Sequence, residues 1–320
     1  MFAVRYPLLV GILATLLIGA VGHAAAATPP AVHADTTDYR VYTAAGEPAS
    51  LEAIEAAFDT VEVVLLGEIH GHAPIHALQD SLWQRLLTHE RPATLSLEMV
   101  ERDVQPVLDE YLAGLIPEDH FLQASRPWPS YERDYHALVD SARTHNAPVL
   151  AANAPRRYVN RVAREGRAAL DDLPASALHW LPPLPYPEAS EAYRERFLAQ
   201  MHGGAHSTNH TPADTTDANA SESPHEHDSG MAHLLDAQML WDATMAYTIA
   251  EHLLYTPKAV VMHLTGRFHI AERTGTPETL AHYRPGTPQL VVYFDAVADP
   301  STFDDDAHTG QGDFVVLTAE

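Results

Sequence analysis

Cysteine is absent from the 320-residue chain, and lysine occurs once, at Lys258. Without cysteine there is no disulfide framework, no thiolate nucleophile or ligand, and no acylated cysteine to serve as a membrane anchor. Basic residues are scarce as well. The 19 Lys and Arg face 43 Asp and Glu, giving a formal net charge of −24. A surface this acidic repels phosphate backbones, which excludes nucleic acid as a natural partner and suits solubility in a salty medium. Long apolar runs are confined to residues 8–21, about 14 residues and short of the roughly 20 that a spanning helix needs. Arg5 precedes that run and Ala24 to Ala27 follow it. This is the order of a cleavable secretory signal over residues 1–27, leaving no stable membrane span after cleavage and placing the mature protein in the periplasm or outside the cell.

Residues 28–45, rich in Ala, Thr and Pro at their start, read as a linker. Residues 46–320 then form a single domain, with enough chain for a large core. Apolar, β-branched runs at 61–66, 93–97, 148–152, 259–265 and 289–294, with a further short run at 314–317, alternate with amphipathic helical stretches. That alternation predicts an α/β fold, a mostly parallel sheet flanked by helices. Residues 203–230 break the pattern. They are polar, low in complexity and bear histidines, and read as a disordered insertion inside the domain.

Two of the strands end alike. The run at 61–66 meets Gly67-Glu68-Ile69-His70, and the run at 259–265 meets Gly266-Arg267-Phe268-His269. A glycine there lets the backbone turn, and the residues beyond it project from the carboxyl edge of the sheet, where open α/β folds bind ligands. The second strand ends at Glu98, and the third at Asn153, followed by Arg156. Glu68, His70, Glu98, Asn153, Arg156 and His269 are therefore the expected catalytic set. His70, Glu98 and His269 have the composition of a divalent metal site, zinc for example, with a position left for water. The same groups without a metal suit acid–base chemistry. His70 and His72 precede a helix N-terminus, whose dipole disfavours imidazolium. His72 and His76 also have a helical ligand spacing, but Pro74 and the first turn between them make that pair incidental.

At these residues the chain resembles the ChaN-like haem-binding proteins of the Tiki/erythromycin-esterase superfamily. The resemblance runs through Gly67 to His72, Leu97 to Arg102, Trp128-x-x-Tyr131 with Tyr135, Asn153-Ala154-Pro155-Arg156, His202-Gly203, Ala237 to Ala246, and Gly266 to His269. It covers roughly residues 50 to 295. It implies haem binding and iron uptake at the bacterial envelope, and a homodimer, since haem sites of the family form between subunits. It also implies that Gly67, His70, Glu98, Gly266 and His269 match a superfamily active-site motif found in hydrolases and metalloproteases. Tyr131, Tyr135, Tyr193 and His202 are the candidate haem-binding residues, tyrosine and histidine both being axial ligands of haem iron. Two functional readings follow. One is an exported haem-binding protein of haem and iron uptake, the other a metal-dependent hydrolase acting on a peptide or ester. A third, a histidine-rich metal-sequestering protein, rests on the insertion alone.

Overall fold

The computed structural model describes residues 39–203 and 224–320, with side chains at 39–201 and 230–320. The signal at 1–27, the first part of the linker, the centre of the insertion, and the side chains of His202, His206, His210, His225 and His227 lie outside the described residues. Eight strands form one sheet: β1 (Tyr39–Thr43), β2 (Pro48–Ala49), β3 (Val63–Glu68), β4 (Ala93–Glu101), β5 (Val149–Asn153), β6 (Val260–Gly266), β7 (Gln289–Val297) and β8 (Phe314–Ala319). Their order is β2-β1-β8-β7-β3-β6-β4-β5. Strands β3 to β8 are mutually parallel, while β1 and β2 add an antiparallel edge beside β8. The expected α/β architecture is present. The linker boundary is corrected, because Tyr39–Thr43 pairs along Phe314–Thr318 and buries Val41 and Tyr42.

The central strands are apolar on both sides because both sides are covered. Val64, Leu66, Leu97 and Leu264 pack under the helices Ala73–Leu87, Gln105–Leu112 and His136–Thr144. Val63, Leu65 and Val261 pack on the other face against Ala246, Ile249 and Leu253 of the helix Pro224–Tyr255 and Leu280 of the helix Thr276–Tyr283. Removing most of one such side chain, as in Leu66→Ala, costs about 2–5 kcal/mol. Among the described residues no helix is long and apolar enough to cross a membrane.

Insertion of β6 between β3 and β4 explains how the two Gly-x-x-His corners meet. Residues 63–68 pair in register with 261–266, so that Gly67 lies beside Thr265 and Glu68 beside Gly266. The corners are thus neighbours along one sheet edge and do not face each other across it. Neither motif glycine makes the turn by a left-handed conformation. Gly266 has φ −58°, and Gly67 lies inside β3. Gly67 is required by close approach: a Cβ there would stand 2.5 Å from Ile270 Cδ1 and 2.9 Å from Arg267 Cα. The first corner is narrow so that the second can fold over it.

Candidate functional site

Strand β4 does not stop at residue 97 but runs to Glu101, and its register with β5 shifts between Leu97 and Glu101. Its pairing with β6 ends at Leu97 opposite Leu264. Glu98 comes next and is 4% exposed, and its Oε2 accepts from both the Thr265 hydroxyl and the Gly266 backbone N–H at 2.7 Å. It therefore caps no helix. It ties β4 to the second corner and leaves Oε1 3.8 Å from His269 Nε2.

Each corner histidine is held through Nδ1 by a buried carboxylate. At the first corner, His70 Nδ1 lies 2.7 Å from Glu68 Oε1. Glu68 also accepts from the Tyr135 hydroxyl at 2.5 Å and from Gln79 Nε2 at 2.8 Å. His76, three residues before Gln79, hydrogen-bonds its side-chain oxygen at 3.0 Å and accepts from Gly71 N–H at 3.1 Å. The Trp128 ring meets the His70 ring edge-on at 5.0 Å. His72 takes no part in this cluster, so the spacing of His72 and His76 forms no ligand pair.

At the second corner, His269 Nδ1 lies 3.0 Å from Asp242 Oδ1. Asp242 accepts from the Tyr193 hydroxyl at 2.5 Å and from Thr276 Oγ1 at 2.7 Å. Gln238, one turn before Asp242 on the same helix, places its Nε2 3.3 Å from His269 Nε2. Arg196 fixes the turn itself by donating to the Phe268 and Ala271 carbonyls. Gly275 closes the cluster at φ +68°, where a Cβ would fall 2.6 Å from the His269 carbonyl oxygen and 2.9 Å from Asp242 Oδ1.

These partners set the protonation of the site. Burial opposes charge on His70, but its hydrogen bond to Glu68 and the charge of Glu98 outweigh it and hold the imidazole above its ordinary value. The carboxylate at 2.7 Å thus acts against the helix dipole, an effect worth about 0.3–1 kcal/mol, which disfavours imidazolium. Burial likewise opposes charge on His269, yet Asp242 and Glu98 bring it to about 8. His263, beneath them on β6, has only Ser96 Oγ at 2.9 Å, and burial pushes it down to about 4.

The other expected residues lie elsewhere. Asn153 Oδ1 accepts from its own neighbour Ala154 N–H at 2.8 Å, which makes it a turn residue. Arg156 starts the helix Arg156–Glu165 with its side chain exposed. Neither joins the hydrogen-bond network of the two histidines. Tyr131, Tyr135 and Tyr193, the candidate haem ligands, are all buried in this structure. Burial raises each phenol well above its ordinary value, and Tyr135 and Tyr193 are spent on Glu68 and Asp242. Among the described residues no three His, Asp or Glu side chains are arranged to hold a metal ion. The zinc expectation at His70, Glu98 and His269 is therefore not supported by this arrangement. Sequence reasoning missed Asp242, Gln238, Gln79, Thr265 and Thr276. The first two lie one turn apart on the helix Pro224–Tyr255, whose other polar residues, Asp236 and Glu251 among them, gave no local reason to single them out.

The haem-binding uptake family of the Tiki superfamily, typified by ChaN, matches residues 55–280. The chain belongs to this family. The fold agrees with that of ChaN of Campylobacter jejuni, which binds haem cofacially, with a TM-score of 0.63 and 16% identity over 88% of this chain and 98% of that one. An erythromycin esterase in an open conformation shows a weaker likeness, at TM-score 0.45 and 11% identity over 88% of this chain and 83% of that one. The type III effector HopBA1 follows at 0.42 and 13% over 84% and 93%. No curated protein matches the chain in sequence.

Proposed function

We propose that the protein is an exported haem-binding protein of bacterial haem and iron uptake, working as a homodimer in the periplasm or outside the cell. The match to the ChaN family across residues 55–280 carries this reading. Burial, and the engagement of Tyr135 and Tyr193 with Glu68 and Asp242, count against the three candidate tyrosines as axial ligands. His202, whose side chain lies outside the described residues, is the other candidate. Titrating the purified protein with micromolar haem tests the reading. A Soret shift with saturation is expected, and its absence would end the proposal.

The strand edge favours a second reading, hydrolysis of a peptide or ester bond. Two histidines with raised affinity for protons flank a buried glutamate, the pairing of groups that general acid–base catalysis uses. His269 would give a proton to a leaving group, and Glu98 or the partner histidine would take one from water. Assay against ester and peptide libraries, with and without a chelator, decides it. Activity that survives chelation and is lost in His269→Ala is the expected outcome.

A further inference from the structure

We propose that Tyr135 and Tyr193 are positioning residues that lock the two corner histidines in one tautomer, acting through Glu68 and Asp242, so that Nε2 is the reactive nitrogen of each ring. The inference rests on the acid–base reading of the strand edge and deepens it. An ionised carboxylate only accepts hydrogen bonds, so the Nδ1 atom facing it carries the proton in both the neutral and the cationic ring. A carboxylate that is free to swing would let the ring turn. Neither is free. Glu68 has three donors, from Tyr135, Gln79 and His70, and Asp242 has three, from Tyr193, Thr276 and His269. In each set the phenol is the short contact, 2.5 Å, the length of a charge-assisted O–H···O bond. Burial keeps both phenols protonated far above their usual range, so they remain donors wherever the protein is folded.

The two arms are built from unrelated parts. Glu68 is the last residue of β3 and Tyr135 lies between the helices Tyr131–Asp134 and His136–Thr144. Asp242 and Tyr193 come from the helices Pro224–Tyr255 and Glu191–Gly203. No internal repeat supplies the likeness, yet both end in tyrosine, carboxylate and Nδ1. Buried polar groups need partners for stability alone. That requirement does not call for the same three groups in the same order at both corners.

Imidazole 15N NMR of the full chain, recorded across the titration of both rings, tests the inference. In the wild type both neutral rings are expected in the Nδ1–H form. Tyr193→Phe should shift the His269 resonances, mix its tautomers and move its midpoint, because Asp242 then loses a donor, with a much smaller effect on His70. Tyr135→Phe should act chiefly on His70, and the less affected corner reports that the fold is intact. A neutral ring in the Nε2–H form in the wild type, or a tyrosine variant that leaves its own histidine unchanged, overturns the proposal. Where a phenylalanine variant loses both sets of signals, Glu68→Gln and Asp242→Asn give the reading through the carboxylate, with the same two outcomes. A wild type that hydrolyses nothing but shows both rings as Nδ1–H removes the acid–base reading and leaves the positioning roles standing.

Discussion

The Glu98 carboxylate accepts from the Gly266 backbone N–H at 2.7 Å, a link between one strand and the corner of its neighbour that the parallel ladder itself does not make. The same oxygen satisfies the Thr265 hydroxyl. Both donors are buried, and a buried donor without a partner costs about 1–3 kcal/mol. Glu98→Ala strands the two together and is expected to lower unfolding free energy by about 2–4 kcal/mol, within the range of that unmet desolvation. Glu98→Gln keeps one acceptor and should cost less. Urea unfolding of the three proteins measures the difference, and equal stability of wild type and Glu98→Ala would show that the link carries nothing.

Gly67→Ala puts a methyl group against the backbone of the other corner, 2.9 Å from Arg267 Cα, as well as against Ile270. The clash includes backbone, so it cannot be relieved by one rotamer change. Overpacking of this kind costs about 1–3 kcal/mol. The effect should reach His269, which follows Arg267 by two residues, and both corner histidines should shift in NMR spectra. A change confined to His70 would argue against the coupling.

The strands were legible in the sequence because the central ones are buried on both faces and read as continuous apolar runs, as 61–66 and 259–265 do. The position of β6 was not, since insertion of a late strand between β3 and β4 is a matter of long-range packing that no local pattern encodes. Strands β1 and β2 were hidden for a related reason: strands of five and two residues carry little periodicity. In the site, His70, Glu98 and His269 announced themselves by following glycine or closing an apolar run. Asp242 did not, because one acid among several in a long helix looks like part of a solvated face until its 0% exposure is seen. Asn153 misled for the opposite reason, since a polar residue at a strand end is usually occupied by its own turn.

Stability should depend on pH with a maximum near the ordinary histidine value. His269 is raised from 6.5 to about 8 by Asp242 and Glu98 against the opposing effects of burial and Arg196. The folded state thus binds the proton more tightly than the unfolded one. That contribution, about 2 kcal/mol, is fully present below 6.5 and is lost as pH rises through 8. His70 has the same sign. His263 has the opposite sign, being depressed from 6.5 to about 4 by burial, so its contribution is present above 6.5 and is lost as pH falls toward 4. Thermal melts from pH 5 to about 9, a range set by these values, should show the alkaline arm flattened in His269→Gln. An alkaline arm unchanged by that substitution would place the linked proton elsewhere.

Haem and the strand edge should prove to be separate sites. Glu68, Glu98 and Asp242 are all buried there, at 1%, 4% and 0% exposure, so three carboxyl groups crowd the edge against two imidazoles. Haem carries two propionates, and bringing them beside buried carboxylates is unfavourable where the local dielectric is low. The tyrosines nearby are also spent as donors to those carboxylates. His70→Ala and His269→Ala are therefore expected to bind haem with a titration curve and Soret maximum matching wild type, while losing any hydrolysis the strand edge performs. If either substitution instead weakens haem binding tenfold or more, about 1.4 kcal/mol or greater, with the fold intact by circular dichroism, the two sites are one and the charge argument fails.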